Sequence, residues 1–392
     1  MKRLLYLGFA FPPGMQAQFP GVNPAGHAFE TQMLAALRAH LEIKSVGVLP
    51  VSPPFCPLPT NPASGVAHDL VLLDRAPELW HRFRSLLQLK RQFRRWLTTG
   101  WRPNAVLVYN LSPIYNNFLR WLRRQPAPPK LILLLLDSAH LGRTLPRWKR
   151  LRHGFKPLVI PDAEMIGEFD ACVGLSQAAE KFFAPRGIPF LWMPGGYRAE
   201  LAPCGDEFAA DTSPIRFGYF GALASHSGVL PLAETFLANP LPNELHICGH
   251  GKLTEALKQL AARDARLKFH GLLPTPEDCL RLAQSWDVLI NPRPAESGNE
   301  NNFPSKIFEY ARCGRAILTT RLGGVDTVLG QEAYYFDTAK FSAELSAQLS
   351  ACAAQSRAEL RRRGMALRER VATHYAWPKQ AAAMAEFIGR QL

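Results

Sequence analysis

Short apolar runs alternate with amphipathic stretches along nearly the whole chain, and that alternation leaves few folds open. In the first half the runs are LLYLGFAF (4–11), IKSVGVLPV (43–51), AVLVYNLSP (105–113), KLILLLLDSAH (130–140), ACVGLS (171–176) and PFLWMPGG (189–196). HAFETQMLAALRAHL (27–41) and QAAEKFFAPRG (177–187) read as helices between them. Strands apolar on both faces and separated by helices predict a parallel sheet covered on each side. The pattern lapses at AELAPCGDEFAADTSP (199–214), which is small, acidic and without period, and reads as a linker. It then restarts with IRFGYFG (215–221), ELHICGHG (244–251), LKFHGLL (267–273), DVLINPRP (287–294), RAILTT (315–320) and AYYF (333–336). A last helix, PKQAAAMAEFIGRQL, spans 378–392. The chain therefore reads as α/β with two successive doubly wound units, and 392 residues suit two domains of about 100–200 residues each.

Composition removes other classes. Apolar residues make up 47% and charged residues 20%, which excludes a disordered or fibrous chain. The longest aliphatic run, Leu131 to Leu136, is too short to cross a bilayer. The opening MKRLLYLGFAFPPG has no small-residue cleavage site and reads as a first strand, not a signal peptide. Seven cysteines at 56, 172, 204, 248, 279, 313 and 352 form no CxxC motif. Such a scattered, odd set predicts free thiols in a reducing cytoplasm.

Charge is divided unequally. Residues 1–200 carry 25 Lys and Arg against 12 Asp and Glu, whereas residues 201–392 carry 21 against 20. The basic charge gathers in ELWHRFRSLLQLKRQFRRWLTTGWR (78–102), where Leu79, Phe83, Leu86, Leu87, Phe93 and Leu97 fall near one helical stripe. FLRWLRRQ (118–125) and RTLPRWKRLRHGFK (143–156) add more. Basic residues interleaved with Trp and Phe suit an anionic membrane surface. A solvated helix packing its stripe on its own domain fits the pattern equally well. No nucleic-acid motif accompanies the charge, so no nucleic-acid partner is expected.

Ligands of open α/β sheets bind beyond the carboxyl ends of the strands. The richest such end is DVLINPRPAESGNENNFPSKIFEYARCGRAILTT (287–320). Ser305 fits a helix N-cap and Gly314 a C-cap. Free amides near Ser305 make an anion site, and Lys306 adds a full charge in the first turn. Glu309 lies one turn on, about 5–6 Å along the same face, a distance at which a carboxylate would meet the ribose hydroxyls of a nucleotide diphosphate. The same residues also read as a solvated helix end. His27, after Gly26, and His250, between two glycines, read as well as turn residues as ligands. HExxH, GxSxG, P-loop and DxD patterns are missing, and Gly218 with Gly221 makes no complete GxGxxG.

DVLINPRP…FPSKIFEYARCGRAIL is similar to the nucleotide-sugar motif of GT-B glycosyltransferases of the retaining family 4, the glycosyl transferases group 1. FGYFG (217–221), HICGHGKL (246–253), FHGLLP (269–274), FDACVGLSQAAEKF (169–182) and FLWMPGGYR (190–198) resemble other segments of that family in order. The resemblance implies two Rossmann-like domains facing a central cleft: residues 1–200 for the acceptor and 201–377 for the donor, with helix 378–392 crossing back to the first. It implies transfer from a nucleotide-diphosphate sugar to a saccharide or lipid-linked acceptor, with retention and without a metal or other cofactor. It gives Glu309 the ribose, and sets Ser305, Lys306, Pro304 and Gly221 beside the diphosphate, with Arg293 or His226 assisting. Leu272 and Leu273 fall at the base, and Gly26 at a first glycine turn near the donor phosphate and the acceptor. His140, then Asp137, fall near the transferred sugar as catalytic candidates. Two departures stand out. Asn301 takes the place of a glutamate eight residues before Glu309, with Glu300 and Glu296 nearby, and no Arg or Lys follows Gly221. Those departures keep a non-catalytic glycan- or membrane-binding protein open as an alternative, and a nucleotide-sugar 2-epimerase shares the architecture. The expected setting is the cytoplasm, peripheral on the inner face of the plasma membrane, in cell-surface polysaccharide or glycolipid synthesis.

Overall fold

The computed structural model describes residues 1–9, 24–48, 70–73, 78–111, 113–136, 163–198, 213–295, 299 and 301–392. By its contacts the chain divides into two compact units, Met1–Gly195 with Trp377–Leu392, and Gly196–Ala376. The expected linker lies mostly outside the described residues.

In the first unit the chain runs β1 (Arg3–Gly8), α1 (Pro24–Leu37), β2 (Glu42–Val48), β3 (Leu70–Leu73), α2 (Glu78–Thr98), β4 (Ala105–Tyr109), α3 (Pro113–Arg123), β5 (Lys130–Leu135), α4 (Ala163–Ile166), β6 (Ala171–Gly174) and β7 (Phe190–Trp192). All neighbouring strands are parallel, in the order β3-β2-β1-β4-β5-β6-β7. β4 and β5 are buried nearly throughout, as an all-apolar strand in the middle of a covered sheet must be. β3 was not anticipated, because four residues carry no period. The helix expected at 177–187 is instead two short 3₁₀ turns, Gln177–Phe182 and Ala184–Arg186; Pro185 and a left-handed Gly187 (φ 64°) close the second.

α2 departs from the expected stripe. Among its described side chains Ser85, Leu89, Phe93 and Trp96 are buried and Leu86 partly so, whereas Leu87 and Leu97 are exposed; Leu79 and Phe83 lie outside the described side chains. Phe93 meets Phe118 and Trp121 of α3 edge-on, with centroids 6.0 and 5.7 Å apart. Lys90 sits 5.4 Å over the Trp121 ring. These aromatics are core residues, and the outer face keeps Arg91, Arg94 and Arg95 exposed.

The second unit runs β8 (Arg216–Phe220), α5 (Val229–Ala238), β9 (Glu244–Cys248), α6 (Thr254–Arg263), β10 (Leu267–Gly271), α7 (Pro276–Ala283), β11 (Val288–Asn291), α8 (Lys306–Arg312), β12 (Ala316–Thr320), α9 (Val325–Leu329), β13 (Tyr334–Phe336), α10 (Phe341–Ala353) and α11 (Arg357–Tyr375). Its sheet is parallel in the order β10-β9-β8-β11-β12-β13. Every strand expected from the sequence is present. Gly218 in β8 is required by packing: a Cβ there would stand 1.8 Å from Cε3 of the buried Trp286. At the far end Arg357 of α11 pairs with Asp287 at 3.0 Å, and Asp287 also accepts from the Arg216 amide at 2.8 Å.

The last helix, α12 (Trp377–Arg390), packs within the first unit. Trp377 stands edge-on to Phe29 of α1 at 5.2 Å and donates from Nε1 to Gln32 Oε1 at 2.6 Å. Ala381, Met384 and Ile388 continue the buried stripe, so a terminal helix helps close the core of the sheet that begins the chain.

Candidate functional site

The carboxyl ends of β8, β9 and β10 are laced together by backbone hydrogen bonds. The Gly221 amide donates to Cys248 O at 3.0 Å, and the Gly249 amide to Gly271 O at 2.8 Å. Gly221 has φ 142°, and a Cβ there would stand 2.9 Å from Lys306 Nζ. The positive φ favours glycine, and the missing Cβ leaves room for the Lys306 ammonium.

Lys306 is the charge of this region. Its ammonium donates to Tyr219 Oη at 2.8 Å and lies 4.2 Å from the centre of the Tyr219 ring. Tyr219 in turn donates to Ala222 O at 2.7 Å. The phenol oxygen is thus fixed from both sides and holds the lysine beside Gly221. The Lys306 ammonium, brought from α8, thus stands beside Gly221, after which the sequence offers no Arg or Lys of its own.

α8 is only seven residues long, with Ser305 in the N-cap position. Ser305 is itself helical (φ −53°, ψ −23°) and its hydroxyl makes no capping bond. The first turn starts at Pro304, whose carbonyl accepts from the Ile307 amide at 3.0 Å. In so short a helix the full charge of Lys306 outweighs the partial charge of the dipole. Glu309 is partly exposed and pairs with Arg312, whose side chain is 5% exposed. Tyr310 anchors the helix: its buried hydroxyl lies 3.0 Å from Phe220 O and 3.2 Å from Ile290 O, joining the ends of β8 and β11. Burial pushes this phenol well above its ordinary value.

The loop beyond β11 is tied down by amides and hydroxyls. Asn299, 3% exposed, donates to His226 O at 2.9 Å and Pro294 O at 2.8 Å. Asn291 donates to Thr319 Oγ1 at 2.9 Å, and Thr320 donates to Arg293 O at 2.9 Å. Asn301, where a carboxylate was expected, is buried.

The structure brings Gly221 and Lys306 into contact and sets Pro304, Ser305 and Glu309 on the same short element. Leu272 projects at the end of β10, 73% exposed, and Leu273 follows it half-buried. Arg293 is half-buried, and His226 is exposed. His250 occupies a tight turn whose carbonyl accepts from the Leu223 amide at 3.1 Å. Gly26 lies in the first turn of α1 in the first unit; burial lowers the neighbouring His27 below its ordinary value. Asp137, His140, Glu296 and Glu300 lie outside the described residues. Sequence reasoning missed Tyr219 and Asn299. Tyr219 sits in a strand apolar on both faces, so no alternation marks which way its hydroxyl turns. Asn299 is one polar residue among many in its loop.

Residues 214–355 match the family model described as Glycosyl transferases group 1. No curated protein matches the chain by sequence. Solved structures match it over their full length. The lipopolysaccharide outer core galactosyltransferase WaaB, in its apo form, superposes with a TM-score of 0.66 at 12% identity, covering 100% of both chains. Sucrose-phosphate synthase from Thermosynechococcus elongatus gives 0.70 at 14% identity, covering 99% of both. Anabaena HepE in complex with UDP and glucose gives 0.65 at 15% identity, covering 100% of both. The family match falls on the unit that carries Lys306 and Glu309, and over the length of the chain the fold is that of GT-B glycosyltransferase structures.

Proposed function

We propose that the chain transfers a sugar from a nucleotide-diphosphate donor to a saccharide or lipid-linked acceptor, with retention, in cell-surface polysaccharide or glycolipid synthesis. The observation that carries this reading is the Lys306 ammonium held beside Gly221 by Tyr219. As the glycosidic bond to the donor breaks, negative charge grows on the diphosphate, and a cation fixed beforehand stabilises it without reorganisation. Glu309 binds the ribose, the backbone at Leu272 and Leu273 meets the base, and Pro304, Ser305 and Arg293 line the phosphates. His140 and Asp137 position the transferred sugar near the acceptor hydroxyl. The leaving phosphate itself takes the acceptor proton, so the scheme uses no metal. The complexes of HepE with UDP and glucose and of a trehalose-6-phosphate protein from E. coli with UDP-2-fluoro glucose support a uridine nucleotide as the first donor to try.

The basic first unit takes the acceptor, and the outer face of α2 rests on anionic lipid at the inner face of the plasma membrane. Among the described residues no helix is long and apolar enough to cross a membrane, so contact through α2 would be peripheral.

Thermal unfolding of the purified protein with UDP, GDP or ADP tests the donor site, because a ligand bound only to the folded state raises the midpoint. One diphosphate is expected to stabilise the wild type, and Lys306→Ala and Glu309→Ala to abolish most of that gain. A wild type indifferent to all three would favour the non-catalytic alternative that the absent cations after Gly221 first suggested.

A further inference from the structure

Two cysteines 31 residues apart in sequence meet at the edge of the donor region. Cys248 is the last residue of β9 and is buried; Cys279 is on α7 and is partly exposed. Their sulfurs are 3.0 Å apart in a thiol–thiol hydrogen bond. Between these residues in sequence lies the turn from β10 into α7, with Leu272 and Leu273; at its start Gly271 pairs with Cys248 in the strand register, and its carbonyl accepts from the Gly249 amide at 2.8 Å. The Thr275 hydroxyl then caps α7 by accepting from the Asp278 amide at 3.1 Å. The dithiol, the turn and the helix start are mechanically one piece.

We propose that Cys248 and Cys279 are a redox-active dithiol that closes to a disulfide, and that closure weakens nucleotide binding at the 271–275 turn. The second half rests on the reading that this turn holds the base. The hydrogen bond from Cys248 lowers the Cys279 thiol below its ordinary value, whereas the bond to Cys279 and burial hold Cys248 well above its own. Cys279 is therefore the thiolate that reacts first, and it is the one solvent reaches. With glutathione disulfide as oxidant, the Cys279 thiolate attacks one glutathione sulfur, the S–S bond breaks, and one glutathione leaves as thiolate. Cys248 then loses its proton and attacks the Cys279 sulfur, and the second glutathione leaves. Two protein thiols are oxidised, and one glutathione disulfide is reduced to two glutathiones. A disulfide needs its sulfurs about 2.05 Å apart, about 1 Å closer than they stand, so closure pulls on the end of β9 and the start of α7, between which the turn is strung. Displacements of that size are felt in a site built by positioning.

The test uses the full chain, wild type and Cys279→Ser, equilibrated with glutathione disulfide and digested without reductant. A peptide pair joined through Cys248 and Cys279 is expected from the wild type. Cys279 capped by glutathione alone, or joined to some other cysteine, would overturn the dithiol. Affinity for UDP, GDP and ADP is then measured on reduced and oxidised protein. Oxidation should weaken the diphosphate that the reduced protein binds by about fivefold, reversibly with dithiothreitol, and leave Cys279→Ser unchanged. Equal affinity in both states would overturn the coupling while the dithiol stands. Failure of the reduced protein to bind any of the three would overturn the donor reading and the coupling with it, and the peptide map would still decide the dithiol by itself.

Discussion

Tyr219→Phe removes one oxygen that touches both Lys306 and Ala222 O. A hydrogen bond to a charged group contributes about 1.5–3 kcal/mol, so nucleotide-diphosphate affinity should fall about tenfold while the unliganded protein stays folded. An unchanged affinity, measured by titration calorimetry, would show that Lys306 needs no support from the phenol. A second residue sets how the fold responds to acid. His246 of β9 stacks on His270 of β10 with centroids 5.3 Å apart, and its Nδ1 lies 3.0 Å from His270 Nε2. Glu244 lies 3.2 Å from its other nitrogen, Trp286 packs at 5.6 Å, and Lys268 pairs with Glu244 at 3.4 Å. Burial, and then the neighbouring His270, push His246 down to about 4; Glu244 pulls the other way and Arg216 adds a small downward push. In the unfolded chain the ring protonates near 6.5, so between pH 6.5 and about 4 the unfolded state binds more protons. Stability is full above that window and lost through it, by on the order of 2 kcal/mol once the full shift is discounted for the ring's partial contact with solvent. Urea midpoints measured from pH 7 to 4 should fall more steeply in the wild type than in His246→Gln; parallel curves would assign the acid sensitivity elsewhere.

At the scale of one element, α2 shows how a helix can read two ways. Its sequence offers cations and aromatics together, as a membrane-surface helix does. Packing takes Phe93 and Trp96 into the core and leaves Arg91, Arg94 and Arg95 outside with Leu87 and Leu97. Among the described side chains, what remains for lipid is charge with two aliphatic groups, so attraction should be mainly electrostatic and sensitive to salt. Sedimentation with vesicles containing phosphatidylserine should show binding at low salt that Arg91→Glu, Arg94→Glu and Arg95→Glu together weaken by tenfold or more, at about 1 kcal/mol per cation. Equal binding to neutral vesicles would remove α2 from the membrane account. The helical period was legible in the sequence, but the buried stripe was not. An aromatic residue satisfies a core and an interface by the same burial of apolar surface, and only the neighbouring α3 decides which one it meets.

For the whole molecule, the informative element is α12, which ends the chain yet packs with the sheet that begins it. Trp377 is 7% exposed between Phe29 and Gln32, and truncating a large buried aromatic costs about 3–5 kcal/mol. Trp377→Ala should lower the unfolding transition of the first unit and leave that of the second in place, as followed by hydrogen exchange in each. Loss of protection confined to the second unit would contradict the packing. The two α/β units were legible in the chain's pattern, because unbroken apolar strands between helices must be buried on both faces, and such strands stack in parallel. The charge on α8 was legible as well, since Lys306 and Glu309 are one turn apart on any helix. That Lys306 reaches Gly221, 85 positions away, that Tyr219 holds it there, and that Cys248 meets Cys279 came from the folded arrangement alone. The physical reason is the same in each case. Periodicity reports which face of an element is buried, whereas a contact between the ends of different strands depends on sheet order and register, and no local pattern carries either.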